Sequence, residues 1–355
     1  MVDINEISKG WVTVGHAKAV AALAQAMAAD SVAHAYLIVG PRGIGKMTLA
    51  HDIARMVNCT ENNAPCGQCG QCRRITNELH ADVQVIGLEQ VGDSNGRTST
   101  AIGIGQIREA KRDAGLRPYE GRSRVFIIDG VELMTEEASN SLLKVLEEPP
   151  DQVIFVLLVT DLESVLATIS SRCRILELRP SPASKIADEL FGRFEADKEL
   201  VNEVAQLSGG KLGWAIQMME SPELLESRSK QLDQVVAISQ ASLADRFDYA
   251  NALAGQFTRD RESVVQQLRL WLQWWRDALI VREGVSDFVT NLSRTDALKR
   301  TAEVMSSAQI AGVIQRTEET IDLLERNVNP RLALEQLVLA VPSVPAELAG
   351  QEIGT

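Results

Sequence analysis

The fold class follows from residues 35–46, which read Ala35-Tyr36-Leu37-Ile38-Val39-Gly40-Pro41-Arg42-Gly43-Ile44-Gly45-Lys46. The five apolar residues predict a buried strand, and the three glycines with the closing lysine are typical of a phosphate-binding loop. Apolar residues then recur at helical spacing, at Leu49, Ile53, Met56 and Val57. A strand, a glycine loop and a helix in this order let backbone N–H groups and the helix N-terminus bind phosphate. The sequence therefore predicts a P-loop domain with an α/β fold.

This P-loop lacks groups that hydrolysis of a nucleotide requires. Met47 stands where a Ser or Thr hydroxyl would bind Mg²⁺, and Thr48 follows about 100° further round the helix. A second apolar strand, 125–128, ends in Asp129 as a Walker B strand does. The next residue is Gly130, which has no carboxylate to activate water. The candidate nucleotide-binding residues are Gly40, Gly43, Gly45, Lys46, Thr48 and Asp129. Their retention leaves nucleotide binding open.

Composition limits the classes of partner. With 355 residues, 45% of them apolar, the chain is long enough for two or three domains. A net charge of −12 argues against general coating of nucleic acid. The basic-leaning stretch is predicted to be a solvated helix face and loop, and consists of Arg108, Lys111, Arg112, Arg117, Arg122 and Arg124. No apolar run reaches the roughly 20 residues of a membrane span, and Met1–Asn5 does not start a signal peptide. We expect a soluble cytoplasmic protein without membrane contact.

Four of the five cysteines predict a metal site. Cys59, Cys66, Cys69 and Cys72 have the spacing C-x6-C-x2-C-x2-C. Cys-x-x-Cys turns let thiolates converge on a tetrahedral ion, and four protein ligands leave no open coordination position. The hypothesis is therefore structural Zn²⁺, with metal-free cysteines and an Fe–S cluster as alternatives. Cys173 is expected to be a buried small residue.

The first half of the chain alternates strand-like and helix-like segments, which is typical of a parallel α/β sheet. The predicted strands are 35–39, 83–86, 125–128, 153–159 and 175–178. The predicted helices between them are 47–58, one near 105–114 and one near 135–148, and residues 87–103 are predicted to be a mobile surface loop. Beyond Pro180 the pattern becomes helical, and Trp271, Trp274 and Trp275 share a helix side that is expected to be core or subunit interface.

Several motifs resemble bacterial clamp-loader AAA+ subunits of DNA polymerase III. They are the stretch Ala33–Leu37 before the P-loop, the cysteine module, Asn140–Pro150 and Thr168–Cys173, which contains a Ser-Arg-Cys triplet. The resemblance is strong from residue 11 to about 180 and continues weakly to Asn329–Glu335. In combination these motifs are highly specific to the family.

The resemblance implies an α/β fold followed by an all-α region. Residues 1–179 would form a RecA-like AAA+ domain with strand order 5-1-4-3-2 and a zinc module at 59–72. Residues 180–219 would form a helical lid, and 220–341 a helical collar that assembles with other subunits. The tail at 342–355 is predicted to be disordered.

Departures from the family pattern point to a subunit that is not a motor. Motor subunits of the family carry Thr at the position of Met47, Glu at that of Gly130, and a sensor 2 arginine at or near Gly213. The resemblance therefore implies a catalytically passive subunit with no autonomous ATPase or polymerase site, although it would be part of the polymerase III holoenzyme. An ATP-hydrolysing tau/gamma-type motor and a zinc-dependent DNA-binding repair factor are the alternatives.

One catalytic residue of the family is present. The arginine of the Ser-Arg-Cys triplet is Arg172, and in clamp loaders it reaches the ATP site of the adjacent subunit. A guanidinium suits this role because it is always charged and binds two phosphate oxygens at once. The implied partners are tau/gamma motor subunits and a delta subunit in a hetero-pentamer. The sliding β clamp and primer–template DNA would be reached through that complex.

Overall fold

The structure is a computed structural model and describes residues 10–88, 101–285, 288–326 and 328–342. Positions 89–100 of the predicted mobile loop and 343–355 of the predicted tail lie outside the described residues. The chain divides into two compact units. One contains Met1–Arg193 and Ser208–Ile216, and the other contains Phe194–Leu207 and Gln217–Thr355. The three-domain division with a separate lid stays a prediction.

The first unit is built on a five-stranded parallel sheet. Its strands are β1 Ala35–Val39, β2 Val83–Ile86, β3 Arg124–Asp129, β4 Val153–Val159 and β5 Arg174–Glu177. They lie in the order β2-β3-β4-β1-β5, with parallel pairing throughout. This is the predicted order read from the opposite edge, so the predicted AAA+ sheet is confirmed. Every residue of β1 and β4 is buried, as expected where helices cover both faces of a sheet.

Helices pack on both faces of this sheet. The helices of the first unit are α1 Ala17–Ala28, α2 Lys46–Asn58, α3 Gly70–Thr76, α4 Ile104–Ala114, α5 Glu136–Glu147, α6 Ala167–Ser170 and α7 Ala183–Arg193. One apolar cluster joins α1 and α2 to strand residues such as Tyr36 and Ile127. The other joins α4 and α5 to Leu37 and Phe155, which alternate with the first set along the strands. Two separate apolar layers therefore hold the P-loop strand between them.

The second unit is helical. The remaining helices are α8 Lys198–Leu207, α9 Leu212–Glu220, α10 Pro222–Gln240, α11 Leu243–Arg259, α12 Arg261–Arg282, α13 Thr295–Val304, α14 Ser307–Glu325 and α15 Pro330–Ala340, of which α9 begins in the first unit. The three tryptophans of α12 are buried in the core of this unit. Asn329 caps α15 by accepting the N–H groups of Arg331 and Leu332, with Pro330 at the first helical position. Within the described ranges, none of the helices is long and apolar enough to cross a membrane.

Candidate functional site

The P-loop lies where the sequence predicted it. β1 ends at Val39 and α2 begins at Lys46. Gly43 and Gly45 have φ angles of 74° and 109°, which residues other than glycine rarely adopt. In the sheet register, both Ile38 of β1 and Asp129 of β3 pair with Leu158 of β4. Asp129 is therefore at the same edge of the sheet as the loop, so the structure brings the predicted Walker B carboxylate and the P-loop together.

The P-loop lysine is bound by its own loop. The ammonium group of Lys46 donates to the carbonyl oxygens of Gly40 at 2.5 Å and of Pro41 at 3.2 Å. Burial lowers the pKa of Lys46, and the negative charges of Asp129 and Glu132 oppose that shift. In this conformation the Lys46 ammonium, which would contact a phosphate, is hydrogen-bonded within the loop.

The start of α9 packs directly on this loop. The backbone N–H of Trp214 donates to the carbonyl oxygen of Gly43 at 3.1 Å. A Cβ atom at Gly213 would lie 2.9 Å from that same oxygen, and one at Gly43 would lie 3.0 Å from Cβ of Trp214. Position 213, where the family pattern has a sensor arginine, therefore has no room for a side chain unless the P-loop moves.

The structure also shows the surroundings of Met47 and Gly130, the two positions that lack the expected hydroxyl and carboxylate groups. Met47 is partly buried against the apolar cluster beneath α2, and Thr48 is partly buried beside it. Gly130 has φ 89°, and a Cβ atom there would lie 2.9 Å from Cδ1 of Leu133. A glutamate at this position would need a strained backbone. The local conformation is built for glycine.

Sequence reasoning missed Glu132, a carboxylate close to Lys46. Its Oε1 accepts the backbone N–H of Thr160 at 3.2 Å and the hydroxyl of Thr160 at 2.8 Å. It therefore ties the turn after β3 to the end of β4. The spacing Asp-x-x-Glu at the end of β3 could have indicated this residue. Its partner Thr160 is 28 residues away in sequence, so no local pattern indicated their contact.

The four cysteines of the zinc module converge in space. Cys59 ends α2, Cys69 caps α3 and Cys72 lies in its first turn. All four sulfur atoms lie within 4.8 Å of one another, and the pairs Cys59–Cys69 and Cys66–Cys72 are each 3.9 Å apart. Tetrahedral Zn²⁺ with Zn–S bonds of about 2.3 Å requires sulfur atoms about 3.8 Å apart. The cluster therefore fits a metal ion with little rearrangement.

The charges around the cluster also suit a metal–thiolate group. Burial lowers the pKa of Arg55, whereas the charges of Cys72 and Cys66 raise it. This almost fully buried guanidinium pairs with Asp52, and its buried Nε has no oxygen or nitrogen partner. A cation beside the sulfurs offsets the negative charge that four thiolates bring together. Burial raises the pKa of Cys69, but hydrogen bonds from backbone groups outweigh it and lower that pKa to about 6.

Arg172 lies two residues beyond α6, at the other end of the sheet from the P-loop. The sheet register pairs Arg174 with Tyr36 and Glu177 with Val39, so the P-loop follows the far end of β1. The three strand steps from position 36 to 39 alone span about 10 Å. Arg172 donates to the carbonyl oxygen of Thr168 at 2.9 Å and forms an ion pair with Glu147 at 2.8 Å. The two side chains are 35% and 51% exposed, and such exposed pairs contribute little free energy.

The strand order, the P-loop after β1 and the helical second unit define a RecA-like AAA+ protein. Residues 15–182 match the family described as "DNA polymerase III, delta subunit", and residues 222–341 match its C-terminal family. The chain belongs to the DNA polymerase III delta subunit family. The predicted resemblance to clamp-loader subunits is thereby confirmed.

Individual relatives differ in how much of the chain they match. DNA polymerase III subunit delta' of Bacillus subtilis is 26% identical over 87% of this chain and 91% of its own length. Subunit gamma/tau of Mycobacterium bovis is 36% identical, but over 48% of this chain and only 28% of its own length. A DNA polymerase III gamma subunit-related protein of Thermotoga maritima has a TM-score of 0.38 at 15% identity, covering 89% of this chain and 97% of that one. Of the two sequence relatives, the delta-prime subunit is matched over most of this chain and the gamma/tau subunit over about half of it.

Proposed function

We propose that this chain is the catalytically passive delta-prime subunit of a DNA polymerase III clamp loader, which places the sliding β clamp on primed DNA. The observation that carries the proposal is the closed P-loop. Lys46 is bound to its own loop, Gly130 has a left-handed backbone, and Gly213 is pressed against Gly43. By the family pattern a motor subunit would carry Glu at position 130 and an arginine at or near position 213, and here a side chain at Gly130 needs a strained backbone and one at Gly213 would meet the P-loop. The similarity to delta-prime along most of the chain supports the same assignment.

The chain would act on ATP only in a neighbouring subunit, through Arg172. This arginine is partly exposed, and its partner Glu147 is exposed as well. An exposed pair exchanges partners at low free-energy cost, because water already solvates both groups. Arg172 is also at the wrong end of the sheet to reach its own P-loop. A neighbour's γ-phosphate, with several negative charges, would compete with the single carboxylate of Glu147 for the guanidinium.

The partners follow from this role. They are the tau/gamma motor subunits and the delta subunit in a hetero-pentamer, with the β clamp and primer–template DNA reached through that assembly, in the cytoplasm. Zn²⁺ at Cys59, Cys66, Cys69 and Cys72 would have a structural role, because four thiolates leave no position for a substrate. Binding of ATP or ADP to this chain stays an open prediction, and it would require Lys46 to leave the carbonyl oxygens of its loop.

Measurement of ATP binding and hydrolysis, for the pure chain and for the reconstituted complex, tests the proposal. We expect negligible turnover by the chain alone and DNA-stimulated turnover by the complex. The control variant is Lys46→Ala, which should leave turnover by the complex unchanged because this P-loop does no chemistry. Steady turnover by the pure chain that Lys46→Ala abolishes would instead identify a motor subunit.

A further inference from the structure

The loop before β3 is anchored through its backbone N–H groups. We call residues 116–123 the Tyr119 loop. Five consecutive N–H groups of this loop donate to two buried side chains. Those of Tyr119, Glu120 and Gly121 donate to the carboxylate of Asp82, at 2.7–2.8 Å. Those of the next two residues, 122 and 123, donate to Oδ1 of Asn58, at 2.8 and 2.9 Å. A surface loop with this many captured N–H groups has one preferred conformation.

The two anchors of the Tyr119 loop belong to different parts of the fold. Asp82 immediately precedes β2, and its carbonyl oxygen accepts the N–H of Val125 in β3, so it is fixed to the edge of the sheet. Asn58, in contrast, is the last residue of α2 and is bonded directly to the predicted metal ligand Cys59. A Cβ atom at Gly121 would lie 2.4 Å from Oδ1 of Asn58, so the loop backbone approaches this side chain as closely as glycine permits.

The zinc module makes two more contacts with the same loop. Gln71, which lies between the ligands Cys69 and Cys72, donates to the carbonyl oxygen of Glu120 at 2.8 Å. Arg74, on the same short helix, forms an ion pair with the carboxylate of Glu120 at 2.9 Å. The loop is therefore bound from both sides of the cysteine cluster, by Asn58 next to the first ligand and by α3 next to the last.

The position of α3 depends on the cysteines. The helix has seven residues, and a helix of this length is not stable without tertiary support. Cys69 caps its first turn and Cys72 lies within that turn, so a bound ion would fix the start of the helix to Cys59 at the end of α2.

We infer that the metal site positions the Tyr119 loop. The inference rests on the zinc site proposed above. A bound ion would hold Asn58, Gln71 and Arg74 at the spacing that the loop requires. The loop in turn holds the side chains of Leu116 and Tyr119, which are 58% and 84% exposed, in a fixed place on the surface. The zinc ion would therefore position a loop that is 44 residues or more away in sequence from every ligand, in addition to the cysteine module itself.

Hydrogen exchange of the amides of residues 119–123 tests this inference on the full chain. Loss of hydrogen bonds to charged or buried partners should speed exchange of these amides about tenfold when zinc is removed by a chelator. The double substitution Gln71→Ala and Arg74→Ala should accelerate the same amides while zinc content stays at one per chain. The matched control is Arg73→Ala, an exposed residue of the same helix, which should leave exchange unchanged.

Elemental analysis separates failure of the inference from failure of the zinc site. If the chain holds one zinc per molecule and the amides of 119–123 exchange equally fast with and without it, the inference is wrong and the zinc site stands. If the purified chain holds no zinc, both are wrong. Should removal of zinc unfold the whole first unit, the zinc-loaded double variant decides, because unchanged exchange in that protein also refutes the inference.

Discussion

Replacement of Gly130 by glutamate should destabilise the protein without creating an ATPase. The backbone at Gly130 is left-handed, with φ 89° and ψ 57°. A side chain there costs about 1–3 kcal/mol of the free energy of unfolding. The new Cβ atom would also lie 2.9 Å from Cδ1 of Leu133, which can move because it is the end of a flexible side chain. The expected loss is therefore mostly backbone strain.

Urea unfolding measures this loss, and two matched variants separate its causes. Gly130→Ala should lose nearly as much stability as Gly130→Glu, because the strain does not depend on charge. Gly87→Ala, also close to Asp129 but with only ordinary contact distances around its new Cβ, should stay within about 0.5 kcal/mol of the wild type. If Gly130→Ala is as stable as the wild type, the strain argument is wrong. If Gly130→Glu hydrolyses ATP steadily, the closed P-loop argument is wrong as well.

Three further predictions concern other sites. Cys69→Ser should lower zinc content measured by elemental analysis and loosen the cysteine module, while the main sheet stays folded; full zinc content in this variant would refute the ligand assignment. Arg172→Ala should leave assembly of the complex intact and reduce its DNA-stimulated ATPase activity. The reduction should be smaller than the roughly 10³-fold effect of arginine fingers in single-site enzymes, because only one of several ATP sites is affected. Arg174→Ala is the control, and equal, unimpaired rates in both variants would make Arg172 structural. Burial lowers the pKa of His80, so unfolding should become easier as the pH falls through the ordinary histidine value of about 6.5, and His80→Gln should weaken that dependence in pH-dependent denaturation curves.

Features encoded by neighbouring residues were predictable from the sequence. The apolar run 35–39 and the glycines after it predicted β1 and the P-loop at their observed places, because burial on both sheet faces requires an unbroken apolar strand. The spacing of the four cysteines likewise predicted a cluster, since two tight turns bring three of the sulfurs together.

Contacts between distant residues were not predictable in this way. The hydrogen bond from Trp214 to Gly43 joins residues 171 positions apart, and no local pattern encodes it. The pairing of Arg172 with Glu147 depends on where α5 ends relative to α6. The motif predicted the arginine's presence, while its resting partner is a product of the tertiary fold.

The placement of Arg172 and the P-loop at opposite ends of one parallel sheet has a consequence for symmetry. Parallel strands give the domain a direction, so a subunit that offers an arginine at one end and a nucleotide site at the other can form identical contacts in an open-ended series. In this chain Lys46 and Trp214 make hydrogen bonds with the P-loop backbone at the nucleotide end, and Arg172 at the other end is paired with the exposed Glu147. If Arg172 acts on a neighbour's ATP as proposed, such a subunit would have one productive neighbour rather than two. It would break the equivalence of the subunits and so determine where the series of working ATP sites stops.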